Sequence, residues 1–261
     1  MARARVPLKR VAVVTGASSG IGAALARRLS ADGWHCVLLA RRRERLEALA
    51  SELGAEYEVC DVSDPAAVQR AAAAVIERHP QISLLVNNAG IPGRSSFLQI
   101  EPEKIEEVMR VNYYGSIWSL AAFLPALEAA RPAHVVNVVS VAGAVAYPPA
   151  GPYSASKHAQ LAFSRSVAAE LRPRGIRVHT IKPGFVETEG FPQRGVLGSK
   201  LMSRTVLEPE DIANRIVRAI ERGEVEVFVP RWYAVPALLQ ALAPAVVSRA
   251  VSRAVFGRPR S

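Results

Sequence analysis

Three side chains in the middle of the chain have the types and spacing needed to move a proton. Tyr153 and Lys157 are four residues apart, and Gly151 and Pro152 just before them are typical of a helix start. Residues i and i+4 share a helix face, so the Lys157 ammonium would favour the phenolate of Tyr153, whose ordinary pKa is about 10. Ser140 ends a predicted strand upstream. Taken singly, such a serine is also a common cap, and a tyrosine also anchors a core through its hydroxyl.

A glycine-rich turn near the N-terminus has the composition of an anion cradle. It follows an apolar run and leads into a helical pattern. Glycine lets the backbone approach a pyrophosphate, and the amides and positive dipole end of a helix attract one. The predicted cradle consists of Gly16, Ser18, Ser19, Gly20, Ile21 and Gly22. The alternative is a tight strand-to-helix turn that binds nothing.

Seven short β-rich runs alternate with longer segments that carry apolar residues at helical spacing. The predicted strands are Val11–Thr15, Cys36–Ala40, Tyr57–Cys60, Leu84–Asn87, His134–Ser140, Val178–Lys182 and Glu224–Val229. Almost wholly apolar runs are typical of parallel strands covered on both faces, and alternation with helices implies right-handed crossovers. The sequence therefore predicts a single-domain, doubly wound α/β sandwich with a seven-stranded parallel sheet and helices on both faces.

Ligands of open α/β sheets lie outside the carboxyl ends of the strands, where long loops are usually functional. The longest irregular segment follows the sixth predicted strand, and we expect residues 185–208 to form a lid over a substrate. Residues 11–230 would form the catalytic domain. Residues 1–10 would be a basic tail, and residues 231–261 a C-terminal extension that is first apolar and then basic.

The glycine turn reads T-G-x-x-x-G-x-G, and together with Tyr153 and Lys157 it resembles the short-chain dehydrogenase/reductase family. Further family motifs follow in the right order at residues 61–62, 87–90 and 183–188. The resemblance spans about Lys9 to Pro230. It implies a Rossmann-type fold that binds a nicotinamide dinucleotide.

The resemblance also implies roles for four residues. Tyr153 would protonate a carbonyl oxygen during reduction and remove the alcohol proton during oxidation, while Ser140 would hold that oxygen. Lys157 would bind the nicotinamide ribose and lower the pKa of Tyr153. Asn112, predicted in a helix, would position a water that continues the proton path from Lys157. An asparagine inside a helix that bonds its own backbone is the alternative for Asn112.

By the same resemblance, other residues would contact the cofactor. Asp61 would meet the adenine amino group, although a short acid at a strand end is also a common helix cap. Asn88 would contact the cofactor or mainly tie adjacent loops together. The Val186 backbone and the Thr188 hydroxyl would hold the nicotinamide carboxamide. The remaining predicted contacts are Val62, Ala89, Gly90, Pro183 and Gly184.

The end of the second predicted strand indicates which dinucleotide binds. A dinucleotide fold places there the residue that meets the adenosine ribose, and an acid would favour NAD. This chain has Ala40 at that position, followed by Arg41 and Arg42, whose guanidinium groups suit a 2′-phosphate. A solvated helix start is the alternative, but a run of arginines at a helix N-terminus opposes the macrodipole. We therefore expect NADP(H).

The net charge of +10 belongs to the two ends of the chain. Four positive charges without an acid lie in residues 1–10 and four in residues 248–261, which leaves +2 between them. This distribution argues against a nucleic-acid-binding face. Basic ends suit anionic surfaces such as phospholipid, or are solvated tails that aid solubility.

The C-terminal extension contains 16 consecutive uncharged residues, Trp232–Val247, followed by arginines. The stretch is shorter than the ~20 residues that span a bilayer, and Pro236 and Pro244 interrupt it. It would lie on anionic lipid, roof an apolar substrate pocket, or pack against its own domain or another subunit. The N-terminus has no signal-peptide pattern, so we expect a cytoplasmic protein, with membrane contact as an option for the extension.

These patterns predict an NADP(H)-dependent oxidoreductase that reduces a lipophilic ketone or aldehyde, or oxidises the corresponding alcohol. The alternatives are a 3-oxoacyl-(acyl-carrier-protein) reductase and a non-catalytic NADP-binding regulatory protein. The histidines lack metal-site spacing, so no metal is expected. The resemblance suggests a homodimer or homotetramer formed through residues 112–130 and 152–172.

Overall fold

A computed structural model describes residues 10–93, 95, 97, 99–193 and 205–256, the last three of these without their side chains. Most of the basic N-terminal tail and residues 194–204 of the predicted lid lie outside the described residues.

Seven parallel strands form one sheet, which confirms the predicted fold. They are β1 Val11–Thr15, β2 His35–Ala40, β3 Glu56–Val59, β4 Leu84–Asn87, β5 Ala133–Val138, β6 Ile176–Pro183 and β7 Glu226–Val229. Their order across the sheet is β3-β2-β1-β4-β5-β6-β7. The order reverses between β1 and β4, which is where an open sheet of this kind has its ligand crevice.

The strand ends differ from the predicted ones by one or two residues at several places. The clearest difference is at β5, which ends at Val138 instead of Ser140. Ser140 begins a short 3₁₀ turn, Val141–Gly143, and its Oγ accepts a hydrogen bond from the backbone N–H of Ala142 over 3.1 Å. The capping interaction therefore ends the strand early and turns the serine toward the edge of the sheet.

Helices cover both faces of the sheet. The α-helices of the described residues are α1 Gly20–Ala31, α2 Arg43–Leu53, α3 Pro65–Arg78, α4 Pro102–Met109, α5 Gly115–Ala130, α6 Gly151–Leu171, α7 Pro209–Arg222, α8 Ala234–Leu242 and α9 Pro244–Phe256. The apolar residues of α1, α2 and α7 form one core layer, and those of α3, α5 and α6 form the other.

Strand β1 shows why the central strands are apolar throughout. Ala12 and Val14 pack into the layer of α1 and α7, whereas Val11 and Val13 pack into the layer of α3 and α5. Successive side chains of a strand point to opposite faces, so every position of β1 is buried.

Helix α6 is fastened to the sheet by a buried chain of polar side chains. Asn137 Nδ2 donates to Ser164 Oγ over 2.9 Å, and Ser164 Oγ lies 2.6 Å from Thr180 Oγ1. These bonds join α6 to β5 and β6, and they fix the helix that carries Tyr153 and Lys157. A satisfied buried network of this kind specifies one position for the helix.

Candidate active site

One cavity of about 400 Å³ opens at the carboxyl ends of the strands. It is lined by every predicted site residue except Gly22 and Asn112. The predicted cofactor contacts and the predicted reacting groups therefore share a single crevice, although they come from segments far apart in the chain.

Three glycines shape this turn, two by their backbone angles and one by a close approach. Gly16 and Gly20 have positive φ angles of +66° and +55°, which favour glycine. A Cβ on Gly22 would lie only 2.4 Å from the carbonyl oxygen of Gly16. Gly22 therefore closes the turn, and its predicted contact with the cofactor stays a prediction.

The start of α1 fits an anion. The N-cap residue Ser19 is extended, and its side chain does not cap the helix. A Cβ on Gly20 would lie 3.0 Å from Thr188 Cγ2, so the cradle has room for a ligand only because no side chain fills it. Exposed amides at the N-terminus of a helix bind phosphate, and the turn fits the pyrophosphate of a dinucleotide.

The arginines after β2 lie beside this cradle. Arg42 donates to Ser18 Oγ over 3.1 Å and to Ser19 Oγ over 2.6 Å. Arg41 lies 3.7 Å from a carboxylate oxygen of Asp61. Arg41 and Arg42 both line the cavity, so both predicted 2′-phosphate contacts lie in the crevice beside the glycine turn.

A carboxylate that the sequence analysis did not single out lies at the same end. Glu189, from the segment after β6, pairs with Arg45 and accepts from Arg42 over 3.4 Å. The hydrogen bond from Arg45, together with the positive charges of Arg45 and Arg42, lowers the pKa of Glu189. Glu189 joins the lid segment to the arginines across the mouth of the cavity.

Asp61 and Asn88 have structural partners besides their places on the cavity wall. Asp61 Oδ1 accepts from the backbone N–H of Ser63 over 2.9 Å, whereas Asp64 caps α3. Asn88 Nδ2 donates to the carbonyl oxygen of Thr15 over 3.0 Å. Asn88 therefore ties the β4 loop to the glycine turn, as the alternative for this residue expected.

Ser140 and Tyr153 line the opposite end of the cavity. Ser140 is buried, and its Oγ lies 3.4 Å from the carbonyl oxygen of Pro183, which holds it at the end of β5. Tyr153 is in the first turn of α6, and its ring centroid lies 5.7 Å from that of Phe191. The 3₁₀ turn and the helix start thus present the two hydroxyl groups to one space.

Lys157 is buried one turn along α6 from Tyr153. Its Nζ lies 5.9 Å from the centre of the Tyr153 ring, and it donates to Gln160 Oε1 over 2.8 Å and to the Val138 carbonyl over 3.1 Å. Burial lowers the pKa of Lys157 from 10.5 to about 7. The amine therefore titrates near neutral pH, beside the phenol that it is expected to activate.

Asn112 lies in a π-helical segment, Arg110–Tyr114, rather than in an ordinary α-helix. Its Oδ1 accepts from the Ile91 N–H over 2.8 Å, and its Nδ2 donates to the Ile91 carbonyl over 3.0 Å and to Ser156 Oγ over 3.1 Å. The side chain therefore fastens the loop after β4 to α6. The expected role in positioning a water stays a prediction.

The segment after β6 forms the wall across from these groups. Val186 pairs with Leu207 in an isolated parallel bridge, and Phe185 also accepts from the Leu207 N–H over 2.9 Å. These contacts join the first described residues of the predicted lid to its last ones. Thr188 Oγ1 accepts from the Phe191 N–H over 3.1 Å, which holds the turn that carries Phe191.

Aromatic residues that the sequence analysis did not identify line the end of the cavity near Tyr153. They are Tyr147, Phe185 and Phe191. Behind them, Tyr233 packs so closely on the segment after β6 that a Cβ on Gly184 would lie 2.1 Å from its ring. The first turn of the C-terminal extension thus supports the wall of the cavity.

Away from the cavity, two histidines and a carboxylate meet at the edge of the sheet. His35 Nε2 and His79 Nε2 lie 2.7 and 2.8 Å from Glu56 Oε1, and Arg78 donates to the other oxygen. Although burial opposes it, these hydrogen bonds lower the pKa of Glu56 to about 2. Sequence spacing could not foresee the cluster, because its members come from β2, β3 and α3. These hydrogen bonds and the ion pair with Arg78 hold the cluster together, and the expectation of no metal site stays a prediction.

Comparisons with known proteins agree with this geometry. The family model described as short chain dehydrogenase matches residues 10–195. A dehydrogenase/reductase SDR family protein 7-like of Anopheles gambiae is 34% identical over 236 residues, which cover 84% of this chain and 74% of that protein.

Two solved structures have the same fold. An alcohol dehydrogenase from the archaeon Thermococcus sibiricus, complexed with 5-hydroxy-NADP, aligns with a TM-score of 0.74 and 32% identity over 84% of this chain and 95% of that one. A short chain dehydrogenase/reductase from Burkholderia phymatum in complex with NAD aligns with a TM-score of 0.80 and 27% identity over 91% and 95%. The chain therefore belongs to the short-chain dehydrogenase/reductase family of nicotinamide-dependent oxidoreductases.

Proposed function

We propose that this protein is an NADP(H)-dependent reductase of lipophilic ketones or aldehydes, which also catalyses the reverse oxidation of the corresponding alcohols. The observation that carries the proposal is that one cavity is lined by Arg41 and Arg42, which follow β2, and by Ser140, Tyr153 and Lys157, which follow β5. In the sheet, β2 and β5 lie on opposite sides of β1 and β4. A cavity with a phosphate-binding end and a proton-donating end suits a dinucleotide and a carbonyl compound.

The chemistry divides between the cofactor and the chain. The bound nicotinamide supplies the hydride for the carbonyl carbon. Tyr153 Oη gives its proton to the carbonyl oxygen, which becomes the alcohol, and Ser140 Oγ holds that oxygen while charge develops on it. The Lys157 ammonium stabilises the phenolate that remains on Tyr153. Oxidation of the alcohol reverses each transfer.

The preference for NADP(H) over NAD(H) rests on charge at the adenosine end. Arg42 already donates to the hydroxyl groups of Ser18 and Ser19, so it is held toward the cradle. The position that would carry an NAD-selecting acid is Ala40, which is buried. Reduction is the favoured direction, because cytosolic NADP is usually kept reduced.

A lipophilic substrate is supported by the lining near Tyr153. Tyr147, Phe185 and Phe191 are aromatic, and Val141 adds an apolar wall. Specific small-molecule sites combine an apolar lining with a few polar groups that fix orientation. Here Ser140 and Tyr153 are the polar groups.

A homodimer or homotetramer formed through residues 112–130 and 152–172, which include α5 and most of α6, remains part of the proposal. Tyr114, which directly precedes α5, is 42% exposed and stacks on Trp118 at a centroid distance of 5.5 Å. Aromatic side chains are enriched in interfaces. Light scattering of the native protein and of Trp118→Glu would test this assembly: a smaller mass for the variant supports it, and a monomeric native protein contradicts it.

The activity is tested by following NADPH and NADH oxidation by the purified protein over ketones and aldehydes of rising chain length and ring number. Turnover that needs NADPH, rises with substrate apolarity and is lost in Tyr153→Phe supports the proposal. NADPH binding without turnover of any free or carrier-linked carbonyl substrate would indicate a regulatory protein. Turnover confined to 3-oxoacyl groups on a carrier would indicate the carrier-dependent reductase.

A further inference from the structure

An apolar stripe on the C-terminal extension faces solvent. In α8, Val235, Leu238, Leu239 and Leu242 are each exposed by 53% to 75%. Their spacing is i, i+3, i+4 and i+7, which places them on one face of the helix. Trp232, just before α8, is 51% exposed.

The polarity of α8 is inverted relative to that of a helix on a water-exposed surface. Its single polar residue, Gln240, lies off the stripe, and its Oε1 is buried without a hydrogen-bond partner among the described residues. A water-exposed helix normally buries its leucines and exposes its amides. The arrangement indicates that something apolar covers the stripe.

Arginines lie next to the apolar stripe. Helix α9 follows α8 after a bend of 112° between the segments Arg231–Leu242 and Pro244–Arg253. On α9, the exposed Val246 shares a face with Arg249 and Arg253, at i+3 and i+7. After Glu226 the sequence has no further acid. The surface thus combines an apolar stripe with positive charge only.

This combination of an apolar stripe and arginines distinguishes between two possible binding partners for the surface. A second copy of the chain would pair the same patch on both subunits, and would bring arginines together with no acid in the segment to offset them. An anionic phospholipid surface accepts both components, because leucines enter the acyl boundary while arginines bind headgroups. Within the described residues no single helix is long and apolar enough to cross a bilayer.

We propose that α8 and the start of α9 lie on an anionic phospholipid bilayer, with the apolar stripe in the acyl boundary and Arg249 and Arg253 at the headgroups. Tyr233 connects this surface to the active site, because it precedes α8 directly and packs against Gly184 in the cavity wall. Lipid contact would bring the cavity close to a membrane-dissolved substrate.

Vesicle flotation tests the proposal without any measurement of activity. The full chain is mixed with vesicles of phosphatidylcholine alone or of an equimolar mixture with phosphatidylglycerol, in low and high salt. We expect flotation with the anionic vesicles and much less with neutral ones, because each arginine contributes about fivefold in affinity near an anionic surface.

Three variants separate the contributions to binding. Leu238→Glu and Leu242→Glu each remove a buried leucine from the bound state, and we expect affinity to fall roughly tenfold or more for each. Arg249→Glu with Arg253→Glu should abolish the preference for anionic vesicles. Val225→Glu is the matched control, because Val225 is 53% exposed at the other end of β7. Circular dichroism and thermal unfolding establish that each variant is folded.

The outcomes decide the proposal. Anionic-vesicle binding that is lost in the leucine variants and retained in Val225→Glu supports it. Absence of vesicle binding overturns it, and a dimer that Leu238→Glu converts to monomer would identify a second copy as the cover. Equal binding to both vesicle types, unchanged in the arginine variants, overturns the role of the arginines.

Discussion

The Nζ of Lys157 lies 2.8 Å from the Oε1 of Gln160, three residues further along α6. The Nε2 of Gln160 in turn donates to Ser116 Oγ over 2.8 Å, so the amide orientation is fixed by its second partner. A buried ammonium depends on such acceptors, because hydration cannot stabilise its charge. Gln160 is therefore a positioning residue for the amine that we propose activates Tyr153.

Replacement of Gln160 should shift the pH dependence of turnover. Gln160→Met removes an acceptor from the charged amine, so the pKa of Lys157 should fall further below its value of about 7. A hydrogen bond to a charged group contributes about 1.5–3 kcal/mol, equivalent to roughly one to two pKa units. The alkaline limb of kcat/KM should move to lower pH by that amount.

Gln160→Glu is the matched control, since it keeps the shape and adds a negative charge that raises the pKa of Lys157. Its pH profile should move in the opposite direction. Profiles that keep the native midpoint in both variants, with only the amplitude reduced, would show that Gln160 has a purely structural role.

Glu189 should weaken the binding of NADPH. The Glu189 carboxylate accepts a hydrogen bond from Arg42 over 3.4 Å. A cofactor 2′-phosphate that binds Arg42 would therefore lie close to the negative charge of Glu189. Glu189→Gln removes that repulsion at an exposed site, and we expect the KM for NADPH to fall about two- to fivefold while that for NADH stays unchanged. Steady-state kinetics with both cofactors measure the difference.

Arg42→Ala should act in the opposite direction. Loss of a charge-assisted phosphate contact should raise the KM for NADPH by roughly tenfold or more, with little change for NADH. Arg43→Ala serves as the control, because Arg43 is exposed and pairs with Glu47 in its own helix. Equal losses with NADPH and NADH would mean that Arg42 does not recognise the 2′-phosphate.

Gly22→Ala should destabilise the protein and impair cofactor binding. The added Cβ would lie 2.4 Å from the carbonyl oxygen of Gly16, so the turn must open. We expect a loss of about 1–3 kcal/mol in the free energy of unfolding, measured with urea. Gly151→Ala is the control, since a Cβ there meets nothing within 4 Å. Equal stability of the two variants would contradict the close approach.

A histidine pair makes stability depend on pH in mild acid. His134 Nδ1 lies 3.0 Å from His179 Nε2, and burial, the charge of His179 and that of Arg177 lower the pKa of His134 to about 4. Burial also lowers the pKa of His179. Below about pH 6.5 the unfolded chain takes up protons that the folded rings resist, so stability present at neutral pH is lost on acidification.

The free energy of unfolding should therefore fall by up to about 1.4 kcal/mol per pH unit for each ring between about pH 6.5 and the folded pKa. His134→Gln keeps a hydrogen-bonding group without the titration, and its slope should be smaller. Urea unfolding at several pH values measures both slopes. Carboxylates act in a separate window: the ion pair with Arg165 lowers the pKa of Glu226 from 4.5 to about 2, so its contribution is lost only in stronger acid. Equal slopes for the native protein and His134→Gln would exclude the histidine pair as the cause of the pH dependence.

Local sequence patterns were enough to predict the sheet and most of the site. The strands are short apolar runs, and the glycine turn and the Tyr153–Lys157 pair are contiguous, so each could be recognised without knowledge of tertiary contacts. Glu189 and Tyr233 could not, because their contacts with Arg42 and Gly184 join segments that only the fold brings together. The structural role of the Asn112 side chain could not be predicted either, because its hydrogen-bond partners Ile91 and Ser156 are distant in the sequence.

Proton transfer from Tyr153 to a lipophilic carbonyl compound is the step on which the proposed NADPH-dependent reduction depends. NADPH oxidation with a hydrophobic ketone by the native protein and by Tyr153→Phe tests this step, with cofactor binding measured in parallel by fluorescence. General acid catalysis contributes about 10²- to 10⁴-fold, so we predict a loss of that size in kcat with NADPH binding retained. Turnover by Tyr153→Phe at the native rate would contradict the account.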